Sequence, residues 1–503
     1  MKTLSRKIMT TGLSLSVAGT AFLEAQKPPN ILFIMADDHT TQAISAYGGF
    51  LGEFMPTPNI DRIAREGVRM NHTFVTNSIS SPSRASILTG QYSHKHGIYA
   101  IDEYFDRNHS TFVKTLRSAG YHTGIVGKWH LGSEPAGFDF YNVLPGQGNY
   151  HNPHLIRIGN WDKPTQYGGH STDVITNEAI NFLQQADRNQ PFLLMTSFKA
   201  PHRPWQPAHR FKDLLNDVTI PYPDNMFDTY EGKGQYIQYL NMSLENMISN
   251  DFKGERIPRD ISRDEQRKWA YQRFIKDYLR CVAGIDENIG RLLQYLDDNG
   301  LTENTIVIYT SDQGVFLGEH GWFDKRLMYE EALRMPMLIR YPREIPAGTV
   351  NNDMVLNIDF APLLLDYAGI ATPDYMQGRS FRNNLIGQTP HDWRKSMYYR
   401  YWMNNDVHHR APAHYGIRTE RYKLIFYYAQ PLGKNGSFES SLTPEWELYD
   451  LQNDPSEMRN IYHDPANKEL IKQLKKELLR LKEKYNDQDS RYPEMQAIVE
   501  KYW

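Results

Sequence analysis

The chain has 503 residues, 40% hydrophobic and 23% charged, with a formal net charge of −3. That length and balance predict a globular protein with a sizeable core, built as two domains or as one large domain with an appendage. The near-neutral charge excludes a global pull toward nucleic acid or anionic membranes, and a single cysteine, Cys281, excludes an internal disulfide.

Lys2, Arg6 and Lys7 precede an apolar, small-residue run at 8–23, and Ala25 is placed before a cut. Residues 1–25 therefore read as a signal peptide, with Leu23 atypically large for its position. No later run is long and apolar enough to span a membrane. Export without disulfides fits a bacterial periplasm. The run 30–36 (Asn-Ile-Leu-Phe-Ile-Met-Ala) reads as a buried strand, followed at once by Asp37 and Asp38. Thr57-Pro58 opens a helix that Gly67 closes, and Val68, Met70, His72 and Phe74 alternate as one strand. Ser81 suits an N-cap and Pro82 the first helical position, with Gly90 as the stop. A helix over 111–119 ends at Gly120, and a strand over 122–126 runs into Gly127-Lys128-Trp129-His130.

The strand 192–198 ends in Lys199-Ala200-Pro201-His202. Residues 264–299 are helical in pattern, interrupted by Gly284 and Gly290, with Cys281 as a buried small hydrophobe. The strand 305–310 ends in Ser311-Asp312-Gln313-Gly314, and a short strand (337–340) and a helix (359–368) follow. Alternating strands and helices predict an α/β fold: a large, mostly parallel β-sheet sandwiched by helices. The polar clusters all follow C-terminal strand ends, where open α/β sheets place their ligands. From about Arg394 the texture changes. Strands at 422–428 and 446–451, then an apolar stripe of Leu470, Ile471, Leu474, Leu478 and Leu481, predict a smaller C-terminal antiparallel sheet with a terminal helix. The charge run 475–484 reads as that helix's solvated face. The expected division is a signal peptide (1–25), a catalytic domain (26–390) and a C-terminal subdomain (391–503).

Asp37, Asp38, Asp312 and Gln313 offer oxygen ligands from two strand ends, a set that suits a hard cation, calcium better than zinc. One Asp-Asp pair is more often a turn or a cap; the second pair at another strand end changes that. Ser80 stands at the positive end of a helix with Arg84 one turn in, a combination suited to an anionic tetrahedral group.

The run Ser80-Ser81-Pro82-Ser83-Arg84, with Leu88-Thr89-Gly90 in register, resembles the modification signature of the type I, formylglycine-dependent sulfatases of the alkaline phosphatase superfamily. Gly127-Lys128-Trp129-His130, Pro201-His202, Gly318-Glu319-His320-Gly321 with Lys325, Glu447-Leu448-Tyr449-Asp450-Leu451 and Asp454-Pro455 carry the likeness along nearly the whole mature chain. The resemblance implies that Ser80 is oxidised to formylglycine by a serine-type radical sulfatase-maturing enzyme, in an anaerobic, Gram-negative host. It implies Ca²⁺ held by Asp37, Asp38, Asp312, Gln313 and the modified Ser80. Lys128 and Lys325 would then clamp sulfate oxygens. His202 would protonate the leaving oxygen, His130 would take a proton from the hydrated aldehyde, and Arg84 would steady it.

His414-Tyr415-Gly416-Ile417-Arg418-Thr419 and the stretch 318–335 look like carbohydrate sulfatases, among them the bacterial N-acetylglucosamine-6-O-sulfatases. The implied substrate is a sulfated oligosaccharide from heparan sulfate, keratan sulfate or mucin. Candidate sugar contacts are His170, Trp205, His320, His408, His409, Arg410, His414 and Arg418. Two other readings stay open: a phosphoester or phosphonate hydrolase of the same superfamily, and an inactive sulfated-glycan-binding relative with unmodified Ser80.

Overall fold

A computed structural model describes residues 27–503; the expected signal peptide lies outside them. Ten strands form one mixed sheet in the order Thr349–Asn351, Val68–Met70, Met337–Arg340, Thr305–Thr310, Asn30–Ala36, Phe192–Phe198, His122–Lys128, Phe140–Leu144, His154–Arg157 and Thr165–Gln166. The five strands from Thr305–Thr310 to Phe140–Leu144 are mutually parallel, as expected of strands buried on both faces. Asn30–Ala36 shows why: Ile31, Phe33 and Met35 enter one hydrophobic cluster, and Leu32, Ile34 and Ala36 enter the other. Helices Ser80–Thr89, Phe112–Ser118 and Phe360–Tyr367 contribute Ile87, Leu116 and Leu364 to the first face. Helices Pro58–Arg65, Ser171–Gln185 and Arg263–Asp298 contribute Ile60, Phe182 and Phe274 to the second.

Four antiparallel strands, Ser396–Tyr401, His414–Thr419, Tyr422–Tyr427 and Glu445–Asp450, form the C-terminal sheet, and helix Lys468–Lys484 packs on it through Leu474, Leu478 and Leu481. Its buried residues belong to the same cluster as the first face of the large sheet, so the two sheets share a core. At the junction, the hydroxyls of Tyr236, Tyr329, Tyr427 and Tyr449 all donate to Glu447 Oε2, at 3.0–3.4 Å.

Four local expectations differ. The alternation at 68–74 splits into Val68–Met70 and Thr73–Phe74, which join different sheets; Asn71 bonds across to Asn351 between them. The helical run is unbroken over Arg263–Asp298: a Cβ at Gly284 would meet only the Phe211 ring at ordinary contact distance, and Gly290 gives room to the Asn59 side chain. The N-cap before the signature helix is Ile79, so Ser80 itself begins the first turn and Pro82 is its third residue. The charge run 475–484 is not wholly solvated. Lys482 is buried, donating to Asp489 at 2.6 Å, and Lys475 lies 4.1 Å over the Trp446 ring.

Candidate active site

Five segments converge at the C-terminal edge of the parallel strands. Strand Asn30–Ala36 delivers Asp37 and Asp38, and helix Ser80–Thr89 delivers Ser80 and Arg84. His122–Lys128 delivers Lys128 and His130, Phe192–Phe198 delivers Lys199 and His202, and Thr305–Thr310 delivers Asp312 and Gln313. A sixth, the short strand Phe323–Asp324, brings Lys325. The whole signature helix is buried. Its small residues serve the neighbouring strand ends: Ser81 donates to the His130 carbonyl at 3.0 Å, and Ser83 to the Asp312 carbonyl.

Arg84 is the brace. Its Nε donates to Asp312 Oδ2 (3.1 Å), Nη1 to the Lys128 carbonyl (2.8 Å) and Nη2 to Asp37 Oδ2 (3.1 Å), so one planar fork fixes three strand ends. Ser80 Oγ lies 3.5 Å from Asp37 Oδ1, and Lys128 pairs with the same carboxylate. Lys325 pairs with Asp38, and His202 Nε2 stands 3.7 Å from Asp38 Oδ2. His202 Nδ1 donates to the Arg203 carbonyl at 2.6 Å, which leaves Nε2 as the atom facing Asp38.

Backbone strain gathers here. Asp38, His130, Asp324 and Arg326 all have positive φ, of 64°, 54°, 74° and 90°, a region costly for residues bearing a Cβ. Tertiary bonds hold them: Asp38 N–H donates to Asp312 Oδ1 at 3.2 Å, and Tyr399 of the C-terminal sheet donates to the Arg326 carbonyl at 2.6 Å.

The electrostatics follow from burial against charge. Burial alone would push the Asp37 carboxyl up, but Lys128, His202, Arg84 and Lys325 together hold it well below its ordinary range. Asp38 moves the other way: burial, with Asp37, Asp312 and Asp324 close by, outweighs Lys325 and raises it. Lys325 is raised, because Asp38, Asp324 and Asp37 overcome its burial. Burial and the Lys128 charge push both His130 and His202 well below the usual imidazole range, so both rings are neutral at neutral pH.

Two residues that the sequence reading did not single out complete the pocket. Gln147 reaches in from an exposed turn between Gly146 and Gly148, both at positive φ. It accepts from Lys128 Nζ at 2.6 Å and its amide nitrogen lies 3.1 Å from His130 Nε2. The turn signal was readable, but not its reach to another strand end. Lys199 follows its strand as His202 does, and strand-end position could have flagged it. Its ammonium lies 4.9 Å over the Tyr150 ring, and burial with Lys128 nearby pushes it down to about 7.

The candidate sugar contacts divide. His408 and Arg410 are exposed on a loop that His409 anchors, its two nitrogens 3.1 Å from Asp406 and from Asp324, next to Lys325. The other five are buried within the protein. His170 caps helix Ser171–Gln185 and meets the Gln206 carbonyl at 2.9 Å, and Trp205 packs on Phe274 at 4.4 Å. His320 is held by Asp228 at 2.7 Å, His414 meets the Pro412 carbonyl at 2.7 Å, and Arg418 forks onto Glu330 at 3.0 Å. The four polar side chains among them each have a hydrogen-bond partner within the protein.

Residues 29–370 match the family model described as sulfatase, and residues 318–484 the one described as N-sulphoglucosamine sulphohydrolase, C-terminal. The chain is 42% identical to the N-acetylglucosamine-6-O-sulfatase of Bacteroides thetaiotaomicron, over 95% of this chain and 90% of that protein. It is 29% identical to an arylsulfatase of Clostridium perfringens, over 90% and 94%. A solved structure described as in complex with its substrate D-glucosamine-2-N,6-O-disulfate matches with a TM-score of 0.85 at 42% identity, covering 92% of this chain and 99% of that one. With its signature run buried where the strand ends meet and the family model spanning most of its length, this chain belongs to the sulfatase family and is a sulfuric ester hydrolase.

Proposed function

We propose that this sulfatase hydrolyses the 6-O-sulfate of N-acetylglucosamine or glucosamine units in fragments of heparan, keratan or mucin glycans, after export to the periplasm, with formylglycine at Ser80 and Ca²⁺. The observation that carries the reading is the meeting of Ser80, Asp37, Asp312, Lys128, Lys325 and His202 in one pocket of a chain 42% identical to an N-acetylglucosamine-6-O-sulfatase.

The donor set fits a hard cation. Ligand atoms of Asp37, Asp38 and His202 lie within 4.8 Å of one another, and burial, with the carboxylates of Asp37, Asp312 and Asp324 nearby, raises Asp38. Gln313 turns its amide nitrogen toward Asp38 and Asp312, leaving Oε1 buried without a partner. A cation among these carboxylates would favour the flipped amide and give Oε1 a role. Asp37, Asp38, Asp312, Gln313 and the residue at 80 would hold Ca²⁺, which supplies Lewis-acid stabilisation of charge on oxygen. Formylglycine supplies a hydrated aldehyde in place of a simple alcohol.

The chain's own residues do the rest. Lys128 and Lys325 present ammonium groups to sulfate oxygens. His202 holds its Nε2 toward the leaving oxygen; an anionic sulfate beside it offsets the repulsion from Lys128 and restores its hold on a proton. His130, kept neutral, accepts a proton on the nucleophile's side. In the division into 26–390 and 391–503, the C-terminal subdomain then serves the catalytic one, since through Tyr399 and Tyr401 it braces the loop of Lys325 and Arg326.

Co-expression with a serine-type radical maturase, then peptide mass spectrometry and assay against defined sulfated saccharides, tests this. Active enzyme should show a loss of about 2 Da at Ser80 and release sulfate from 6-O-sulfated N-acetylglucosamine. Ser80→Ala should lower kcat/KM by about 10³-fold or more. Activity without the mass change sinks the formylglycine reading, phosphate release instead of sulfate supports the phosphoester reading, and binding without turnover supports the inactive relative.

A further inference from the structure

A groove of about 550 Å³ runs along residues 241–259, outside the sulfate pocket. Met247 and Ile257 are buried in its floor, Ile248 is 56% exposed, and Asn241, Arg256 and Arg259 supply polar groups. Such a volume, with an apolar floor and a few polar groups, is that of a small-ligand site. Among the described residues, Arg256 and Arg259 form no ion pair and no side-chain hydrogen bond. Glu245, the carboxylate lining the groove, is taken up by Arg263 and Arg267, Lys253 pairs with Asp277 and Glu255 with Arg273; Asp260, exposed beside Arg259, is the nearest acid in sequence and forms no ion pair among the described residues. Two exposed guanidinium groups are thus free in one concavity.

The segment lining this groove is fastened to the residue after His202, to the strand that precedes Lys325, and to the loop of His409 that bonds Asp324. Asn241 donates through its backbone to the His409 carbonyl (2.8 Å) and through its side chain to the His408 carbonyl (2.6 Å). Phe323 N–H donates to the Met242 carbonyl at 2.9 Å, two residues before Lys325. Asp251 accepts a two-pronged bond from Arg203, the residue after His202.

We propose that this groove is an extension subsite for the saccharide unit next to the one that is desulfated, and that Arg256 and Arg259 select a unit bearing a carboxylate or sulfate. The inference rests on the glycan reading above. A guanidinium fork matches planar carboxylates and sulfate oxygens, whereas a neutral sugar gives it no anion to meet. The Met247, Ile248 and Ile257 side chains offer the ring face an apolar rest.

The test compares three substrates of the matured, Ca²⁺-loaded enzyme: 6-O-sulfated N-acetylglucosamine alone, linked to glucuronic acid, and linked to galactose. Wild type should favour the glucuronic acid compound over the galactose compound by about tenfold in kcat/KM. Arg256→Ala with Arg259→Ala should bring that ratio near one and leave kinetics on the monosaccharide unchanged. Equal use of the two compounds by wild type, or a preference that survives the double variant, overturns the subsite. Calorimetry with Ser80→Ala protein gives a readout independent of turnover: the glucuronic acid compound should bind about tenfold more weakly when both arginines are removed. If wild type releases no sulfate from any of the three, the glycan reading fails, and equal binding with and without the arginines rejects the subsite separately.

Discussion

Gln147 shows how one side chain couples two others. The Lys128 ammonium can only donate, so it takes the amide oxygen of Gln147 and turns the amide nitrogen to His130 Nε2. The neutral ring must then carry its proton on Nδ1, which is buried without a protein partner. Gln147→Ala should lower kcat about tenfold while thermal unfolding barely moves, because the turn is exposed; an unchanged kcat would remove Gln147 from the machinery. The carboxylates make a second prediction. Asp37, Asp38 and Asp312 crowd one another, so if the proposed Ca²⁺ is held there, chelating it should lower the melting temperature by about 5 °C or more. Asp38→Asn should shrink that difference, as differential scanning calorimetry would show.

At the scale of elements, close approach decides. At Gly127 φ is +94°, and a Cβ there would come within 2.0 Å of the Ser197 carbonyl on the neighbouring strand. Gly127→Ala should therefore cost about 2–4 kcal/mol in denaturant unfolding, and it should displace Lys128. Tyr399 ties the C-terminal sheet to the site, donating to Arg326 and accepting from Ser78 N–H at 3.3 Å. Tyr399→Phe should lower kcat/KM about tenfold at nearly unchanged global stability; full activity would mean that the Lys325 loop holds its shape unaided. The strands delivering the site were legible because their two-sided burial leaves unbroken apolar runs ended by polar residues. The split at Asn71 was not, since alternation continues across it and only pairing partners tell one sheet from another. Nor could glycine content reveal the unbroken 36-residue helix, whose capping box at Ser262 and packing outweigh the weak helix propensity of glycine.

For the molecule as a whole, buried neutral histidines set the acid limit. Burial pushes His96 down to about 3, and His170, His320 and His414 down to about 4, from an ordinary 6.5. Each folded-state value lies below the unfolded one, so the unfolded chain binds more protons between them. Their contribution is complete above pH 6.5 and is lost as pH falls toward 4. The melting temperature should drop steeply over that window, and a flat profile from pH 7 to 4.5 would contradict it. The amino-acid sequence determined the sheet, its ligand-bearing edge and the chemistry placed there, because burial periodicity and strand-end motifs are local. Only the tertiary structure decided which histidines and arginines face the pocket, that Gln147 joins Lys128 to His130, and that a distant tyrosine braces the Lys325 loop. Those choices depend on residues hundreds of positions apart filling one another's hydrogen bonds, and no local pattern encodes them.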